Sequence, residues 1–380
     1  MTKPARPRIA ILGGGPVGIE AALYAHSLGL PFTVFEQGQP GEYLNRWGFV
    51  RMFTPFGMNA SPLGKKTLQQ LRREVPADTE FQTGRQFRET YLLPLAESQA
   101  LKFAIKSQST VLAVSRTGWR KTDTTAKLPP FRLLVRAADN SEAVHTADVV
   151  LDCTGTYARP NWVGDGGMPA VGELASRPHL TYWLEDVLGA KKPHYLGRHT
   201  IVIGGGYSAA ATVVALTELA EENPSAWVTW LTRGPRTSPL PRIANDPLRD
   251  RDKLAAKANT LATRCDGNLE HHPHAEVQEV VCPGPDKGVK VVAQMNGERR
   301  TWEGERLIAN VGYKPDVALT SELRVGEPAG DFRTGEPNYF VLGAKSKGRD
   351  SGFYLHESHD QIRRAFAEVT GNTKLNLFAA

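Results

Sequence analysis

Only three cysteines occur in 380 residues. Cys153, Cys265 and Cys282 lie far apart, so no C-x-x-C pair is available for a redox-active disulfide relay, and a disulfide-stapled scaffold is excluded as well. Long apolar runs are also missing: no uncharged stretch reaches the ~18 residues of a membrane span. The opening Met1-Thr2-Lys3-Pro4-Ala5-Arg6-Pro7 passes straight into an apolar strand, which argues against a leader and for a cytoplasmic protein. Charge of one sign is not dominant, since 46 Lys and Arg are offset by 40 Asp and Glu spread along the chain. With no polybasic arm, zinc-ligand spacing or low-complexity tract, neither nucleic acid nor membrane is an expected partner. The cluster His271-His272-Pro273-His274 has no acidic segment beside it and reads as a loop entering a strand at Glu276, so no metal is expected.

What is present is glycine, 36 residues of it, and two clusters stand out. The first is Gly13-Gly14-Gly15-Pro16-Val17-Gly18, between an apolar strand at 8–12 and a helical pattern from Val17 to Leu28. Gly13 permits the sharp turn, Gly15 keeps side-chain atoms away from a pyrophosphate, and Gly18 lets helix and strand pack closely. The helix N-terminus then presents free N–H groups and a partial positive charge to phosphate. A second strand at 31–35 ends in Glu36, at about the ~20-residue spacing of a carboxylate that accepts from ribose hydroxyls.

The second cluster, Gly204-Gly205-Gly206-Tyr207-Ser208-Ala209, repeats the design between a strand at 199–203 and a helix at 210–221. Gly204, Gly206 and Ala209 hold the three fingerprint positions, with Tyr207 and Ser208 opening the helix. After the next strand, Trp227 to Leu231, the acid of the first cluster is replaced by Thr232-Arg233, with Arg236 close behind. A guanidinium there suits a 2′-phosphate, so the second site is expected to take NADPH rather than NADH.

The rest of the chain organises around these turns. Residues 1–160 form the first part of one nucleotide-binding domain, 196–315 a second, and 325–380 return to the first through a strand at 339–342 and a helix at about 351–369. A Pro/Gly-rich stretch at 159–169 marks the hinge, and Asn296-Gly297 marks a hairpin. The expected fold is α/β: two Rossmann-like, three-layer ββα domains, the NADPH domain inserted in the FAD domain.

The order of motifs resembles the two-dinucleotide-binding flavoproteins, within them the flavin-containing and N-hydroxylating monooxygenase branch. The first cluster with Glu36 is similar to that family's FAD fingerprint and the second to its NADPH fingerprint. Cys153-Thr154-Gly155-Thr156-Tyr157 stands where such proteins commonly read Ala-Thr-Gly-x-Tyr, and Asn310-Val311-Gly312-Tyr313-Lys314-Pro315 resembles their second crossover. Two departures stand out: the Phe-x-Gly-x-x-x-His signature is not recognisable, and Gly343-Ala344 replaces a common Gly-Asp. The loop Gly343 to Gly352 looks instead like the one before the last helix of N-hydroxylases.

The resemblance implies an FAD- and NADPH-dependent monooxygenase that oxygenates nitrogen or sulfur of a small molecule through a flavin hydroperoxide. The alternatives are a flavoprotein reductase or oxidase passing electrons to a quinone, a protein or oxygen, and a dinucleotide sensor without turnover. Candidate FAD contacts are Gly13, Gly15, Pro16, Val17, Gly18, Glu36, Arg46, Trp47, Thr154, Gly155, Gly343, Ser351 and Gly352. Candidate NADPH contacts are Gly204, Gly206, Tyr207, Ser208, Ala209, Arg233 and Arg236. No catalytic group is singled out beyond Asn45, Trp47 and His356, where an ordinary aromatic core and surface histidines are competing readings. A homodimer is left open.

Overall fold

The central strands Ile9–Leu12, Val149–Asp152 and His199–Ile203 are short and buried on both faces, as parallel strands between two covering layers require. The computed structural model describes residues 6–123, 128–264, 267–350 and 352–379. The chain divides into two units, one made of Met1–Arg159 with Lys314–Ala380, the other of Pro160–Tyr313.

In the first unit five parallel strands lie in the order Tyr339–Val341, Val149–Asp152, Ile9–Leu12, Phe32–Phe35, Ile105–Lys106. Alternate residues face opposite ways. Ile9, Ile11, Val149 and Leu151 pack with Ile19 and Tyr24 of the helix Pro16–Ser27 and Phe366 of the helix Leu355–Thr370. Ala10, Leu12, Val150 and Val341 pack with Phe131, Leu133 and Val135 of a three-stranded antiparallel sheet. Residues 84–96 wind through three consecutive helical segments, Gly84–Phe87, a π turn at Arg88–Leu92 and Leu93–Ala96.

The second unit repeats this plan. Its parallel strands run in the order Leu269–His272, Trp227–Leu231, His199–Ile203, Arg306–Ala309. Val202, Val228, Trp230 and Ile308 face the helices Tyr207–Glu222 and Arg249–Arg264. Ile201, Ile203, Leu231 and Leu307 face an antiparallel sheet formed by Glu276–Val281, Val289–Met295 and Glu298–Gly304. Its hairpin turns at Asn296 (φ 49°) and Gly297 (φ 88°), both left-handed as a primed turn demands. His271 and His272 complete the edge strand rather than forming the loop expected from sequence, because Leu269 and His271 turn inward against its neighbour. Each unit is thus a three-layer ββα sandwich with a glycine turn at the end of its first strand.

Candidate functional site

At the first turn Gly13 has φ +97°, and a Cβ placed there would stand 2.7 Å from the Cys153 carbonyl oxygen. A Cβ on Gly18 would lie 1.9 Å from the Gly13 carbonyl oxygen, so only glycine fits at either position. Gly15 differs: nothing lies within 4 Å of where its Cβ would be. Gly15 caps the helix Pro16–Ser27 with no side-chain hydrogen bond, which leaves the first N–H groups to an anion. The open side at Gly15 is the cradle a pyrophosphate needs and a larger side chain would fill.

Glu36 is buried and braces this turn. Its Oε2 accepts from the Gly14 N–H at 2.6 Å, and its Oε1 accepts from the Gly38 N–H at 2.8 Å. Burial pushes its pKa up, and the two backbone donors pull against that rise. Each oxygen keeps acceptor capacity for a ribose hydroxyl. Sequence reasoning assigned Glu36 to the ribose alone; the structure adds the brace.

Beneath the turn lies a charge cluster that sequence reasoning missed. Asp152 pairs in register with Leu12 and is fully buried. Its Oδ2 accepts from Lys345 Nζ at 2.7 Å and the Tyr339 hydroxyl at 2.9 Å. Its Oδ1 accepts from the Thr154 N–H at 3.1 Å and hydroxyl at 2.6 Å, and Lys345 Nζ also donates to Thr154 Oγ1 at 3.1 Å. Burial would raise the Asp152 pKa, but the Lys345 ammonium and the hydrogen bonds hold it below the usual carboxylate range. Opposite charges at the ends of two apolar strands were the available signal. Gly343, just before Lys345, has φ +77°, and its absent Cβ would meet Val17 Cγ2 at 2.9 Å. Its N–H donates to Gln361 Oε1 at 2.8 Å; Gly343 thus meets Val17 at the helix start, and Thr154 Cα lies 3.2 Å from where a Cβ on Gly13 would stand.

The remaining first-unit candidates are scattered. Asn45 and Arg46 are exposed on the short helix Glu42–Arg46, with the Arg46 guanidinium over the Tyr43 ring at 4.9 Å. Trp47 packs on Gly84, whose added Cβ would lie 2.6 Å from the indole, and Phe56 is fully buried against Phe87 and Tyr91; both serve the core. His356 is exposed and stacks on Tyr354 at 5.8 Å. His359, one turn on, is instead held 3.9 Å from buried Glu20, and burial pushes its pKa down. Gly352 is exposed, its N–H on Asp350 at 2.8 Å, and Ser351 lies outside the described residues.

The second turn has the same plan with wider spacing. Gly204 has φ +140°, a Cβ there would stand 2.2 Å from the Asn310 carbonyl oxygen, and nothing lies within 4 Å of the Gly206 position. Gly206 caps the helix Tyr207–Glu222 without a side-chain hydrogen bond. Tyr207 and Ser208 are half-buried at its first turn and Ala209 is fully buried. Thr232 occupies the place of Glu36, its hydroxyl 2.9 Å from His271 Nε2. Burial and the neighbouring His272 push the His271 pKa down to about 4, so the ring is neutral. Arg233 and Arg236 follow in an exposed loop with no carboxylate partner among the described residues.

The described cysteines are not poised for disulfide chemistry. Cys153 is buried under the first turn, where burial and Asp152 raise its thiol pKa well above the ordinary value. Cys282 is half-buried in the second unit. Among the described residues no group of acids, histidines or cysteines could hold a metal ion, and no helix is long and apolar enough to cross a membrane.

Two layered units, each ending its first strand in an open glycine turn below an uncapped helix, define a two-dinucleotide-binding oxidoreductase. The chain belongs to the pyridine nucleotide-disulphide oxidoreductase family, whose model matches residues 10–338. It is 26% identical over 364 residues to an NAD(P)H dehydrogenase (quinone) of Mycobacterium tuberculosis, which covers 91% of this chain and 63% of that one. The chain therefore spans less than two thirds of that relative's length. A bacillithiol disulfide reductase of Bacillus cereus shares the fold with a TM-score of 0.71 and 18% identity, covering 97% of this chain and 99% of that one. An ornithine hydroxylase of Pseudomonas aeruginosa does so with a TM-score of 0.67 and 15% identity, covering 97% and 100%.

Proposed function

We propose that this chain is an FAD-dependent, NADPH-using monooxygenase acting on nitrogen or sulfur of a small molecule. The observation that carries direct electron delivery is the state of the cysteines. With no closely spaced pair in the sequence and Cys153 sealed under the turn with a raised pKa, no thiol relay stands between cofactor and acceptor. When bound, FAD supplies the redox chemistry: it takes hydride from NADPH and passes the electrons on. The residues that would hold it are Gly13, Gly15 and the N–H groups of Val17 and Gly18 at the pyrophosphate, with Glu36 at the ribose and Thr154, Gly155 and Gly343 closing the turn. Gly204, Gly206 and the first turn of the helix Tyr207–Glu222 would hold NADPH, with Arg233 and Arg236 at its 2′-phosphate.

Oxygenation is favoured over other fates by the loop from Gly343 to Gly352, through its resemblance to N-hydroxylases. A second reading, electron delivery to a quinone, is favoured by the Mycobacterium tuberculosis relative. The test is to follow NADPH, dissolved oxygen and hydrogen peroxide together while amines, thioethers and a benzoquinone are offered in turn. One oxygen consumed per NADPH, with an oxygenated amine or thioether and little peroxide, is the expected outcome. Rapid quinone reduction that proceeds equally without oxygen, and no oxygenated product, would replace the first reading by the second.

A further inference from the structure

We infer that Asn310 is a ligand-binding residue of the second cradle, its side-chain amide donating to an acceptor oxygen in the pyrophosphate-ribose part of the pyridine dinucleotide. The inference rests on the proposed NADPH site and names a contact that the glycine fingerprint does not contain.

Asn310 is 5% exposed. Its Oδ1 accepts from the Thr212 hydroxyl at 2.7 Å, which fixes one end of the amide against the helix Tyr207–Glu222. The other end, Nδ2, is buried and has no hydrogen-bond partner among the described residues. A buried amide nitrogen with no acceptor has lost water and gained nothing, and native proteins seldom leave such a group without a reason. Its position supplies one. Strand Arg306–Ala309 runs parallel to His199–Ile203 with Ala309 opposite Ile203, so the next residue of each, Asn310 and Gly204, meet at the turn. The close approach of the Asn310 carbonyl to Gly204 shows that they do. The residue that carries the orphan donor thus stands beside the turn that leaves Gly206 open and the helix uncapped. A ligand rich in acceptor oxygens satisfies the helix N–H groups and the amide together.

The first unit makes the contrast. There Leu12 pairs with Asp152, so the residue beside the turn is Cys153, whose thiol is at most a weak donor. The two cradles share a backbone plan, and at this position only the second offers a strong side-chain donor.

A binding role and a packing role for Asn310 predict opposite results, because removing a buried orphan donor relieves the free protein. The experiment uses the full FAD-loaded chain, the paired change Asn310→Leu with Thr212→Val, and separately Asn310→Asp. Affinities for NADP+ and NAD+ are measured by calorimetry, and thermal unfolding is recorded without dinucleotide. For the apolar pair we expect an unchanged or higher melting temperature, unchanged FAD content, and a dissociation constant raised about ten-fold or more for both dinucleotides. Asn310→Asp keeps the shape but replaces the donor by a charge that repels phosphate, and should weaken binding at least as much. Affinities within two-fold of the parent in either variant overturn the inference, whatever happens to the melting temperature. A parent chain that binds neither NADP+ nor NAD+ overturns the NADPH reading and this inference with it, whereas tight parental binding matched by the variants removes only the inference.

Discussion

The two glycine turns of this chain differ at three positions, Pro16 against Tyr207, Val17 against Ser208 and Gly18 against Ala209, and the backbone records the methyl added at the last. In the first, Gly13 sits at φ +97° and its carbonyl presses onto Gly18, where a Cβ would be 1.9 Å away. In the second the third fingerprint position is Ala209, and Gly204 opens to φ +140°, which leaves 3.4 Å between its own missing Cβ and the Ala209 methyl. Electrostatic support differs as well. The first turn is braced by buried Glu36 and underlain by the Asp152–Lys345 pair. At the same register the second has Ala309, a neutral Thr232–His271 contact and two unpaired arginines. A shared topology fixes where a dinucleotide lies; the residues beneath and beside the turn set its charge environment.

The comparison can be broken hardest at the buried ion pair. Lys345→Met leaves the Asp152 carboxylate buried without its cation and should destabilise the first unit by about 3–5 kcal/mol. The double change Lys345→Met with Asp152→Leu should recover most of that loss. Urea unfolding of the three proteins checks both, and a single variant as stable as the parent would mean that the pair is solvated.

Acid should separate the units next. His271 has its folded pKa lowered from 6.5 to about 4, so its contribution is fully present above pH 6.5 and is lost as pH falls from there toward 4. By linkage this is worth up to about 3 kcal/mol. Asp152, whose folded pKa is lowered below its unfolded value of ~3.9, keeps its contribution until pH falls below about 4. His271→Gln should therefore flatten the loss of hydrogen-exchange protection in the second unit between pH 7 and 5 and leave unchanged that of the first, where burial lowers the pKa of His145 and His359.

The methyl itself gives a smaller effect. Gly18→Ala should cost about 1–3 kcal/mol through overpacking against the Gly13 carbonyl and should reduce retained FAD. The reverse change, Ala209→Gly, relieves nothing and should cost about 1 kcal/mol of helix propensity. Thermal melts with flavin quantitation measure both. Smallest, because the side chain is exposed and screened, Arg233→Ala should raise the dissociation constant for NADPH about ten-fold and leave NADH nearly unchanged. Equal losses for both cofactors would make Arg233 a scaffold residue.

Much of this was legible in the chain before folding. The strands at 199–203 and 227–231 were read to the residue, and the turns were placed correctly, because each is written in contiguous residues. Trp47 follows the Glu36 strand closely in sequence, and its indole packs on Gly84, while Phe56 a little further on is buried against Phe87 and Tyr91. His356 and His359 share a helix face by spacing alone, but only His359 meets a buried partner, Glu20.

The sequence by itself determined the architecture. A glycine that must adopt positive φ, or must lack a Cβ where a carbonyl passes, is a local requirement, and so is the near-continuous apolar run of a parallel strand buried on both faces. Only the tertiary structure decided how the charges and donors are matched. Asp152 meets Lys345 across 193 positions, and Asn310 meets Thr212 across 98. Those pairings exist because a buried polar group must find its partner among whatever side chains the sheet order brings beside it, and the separation along the chain carries no record of that choice.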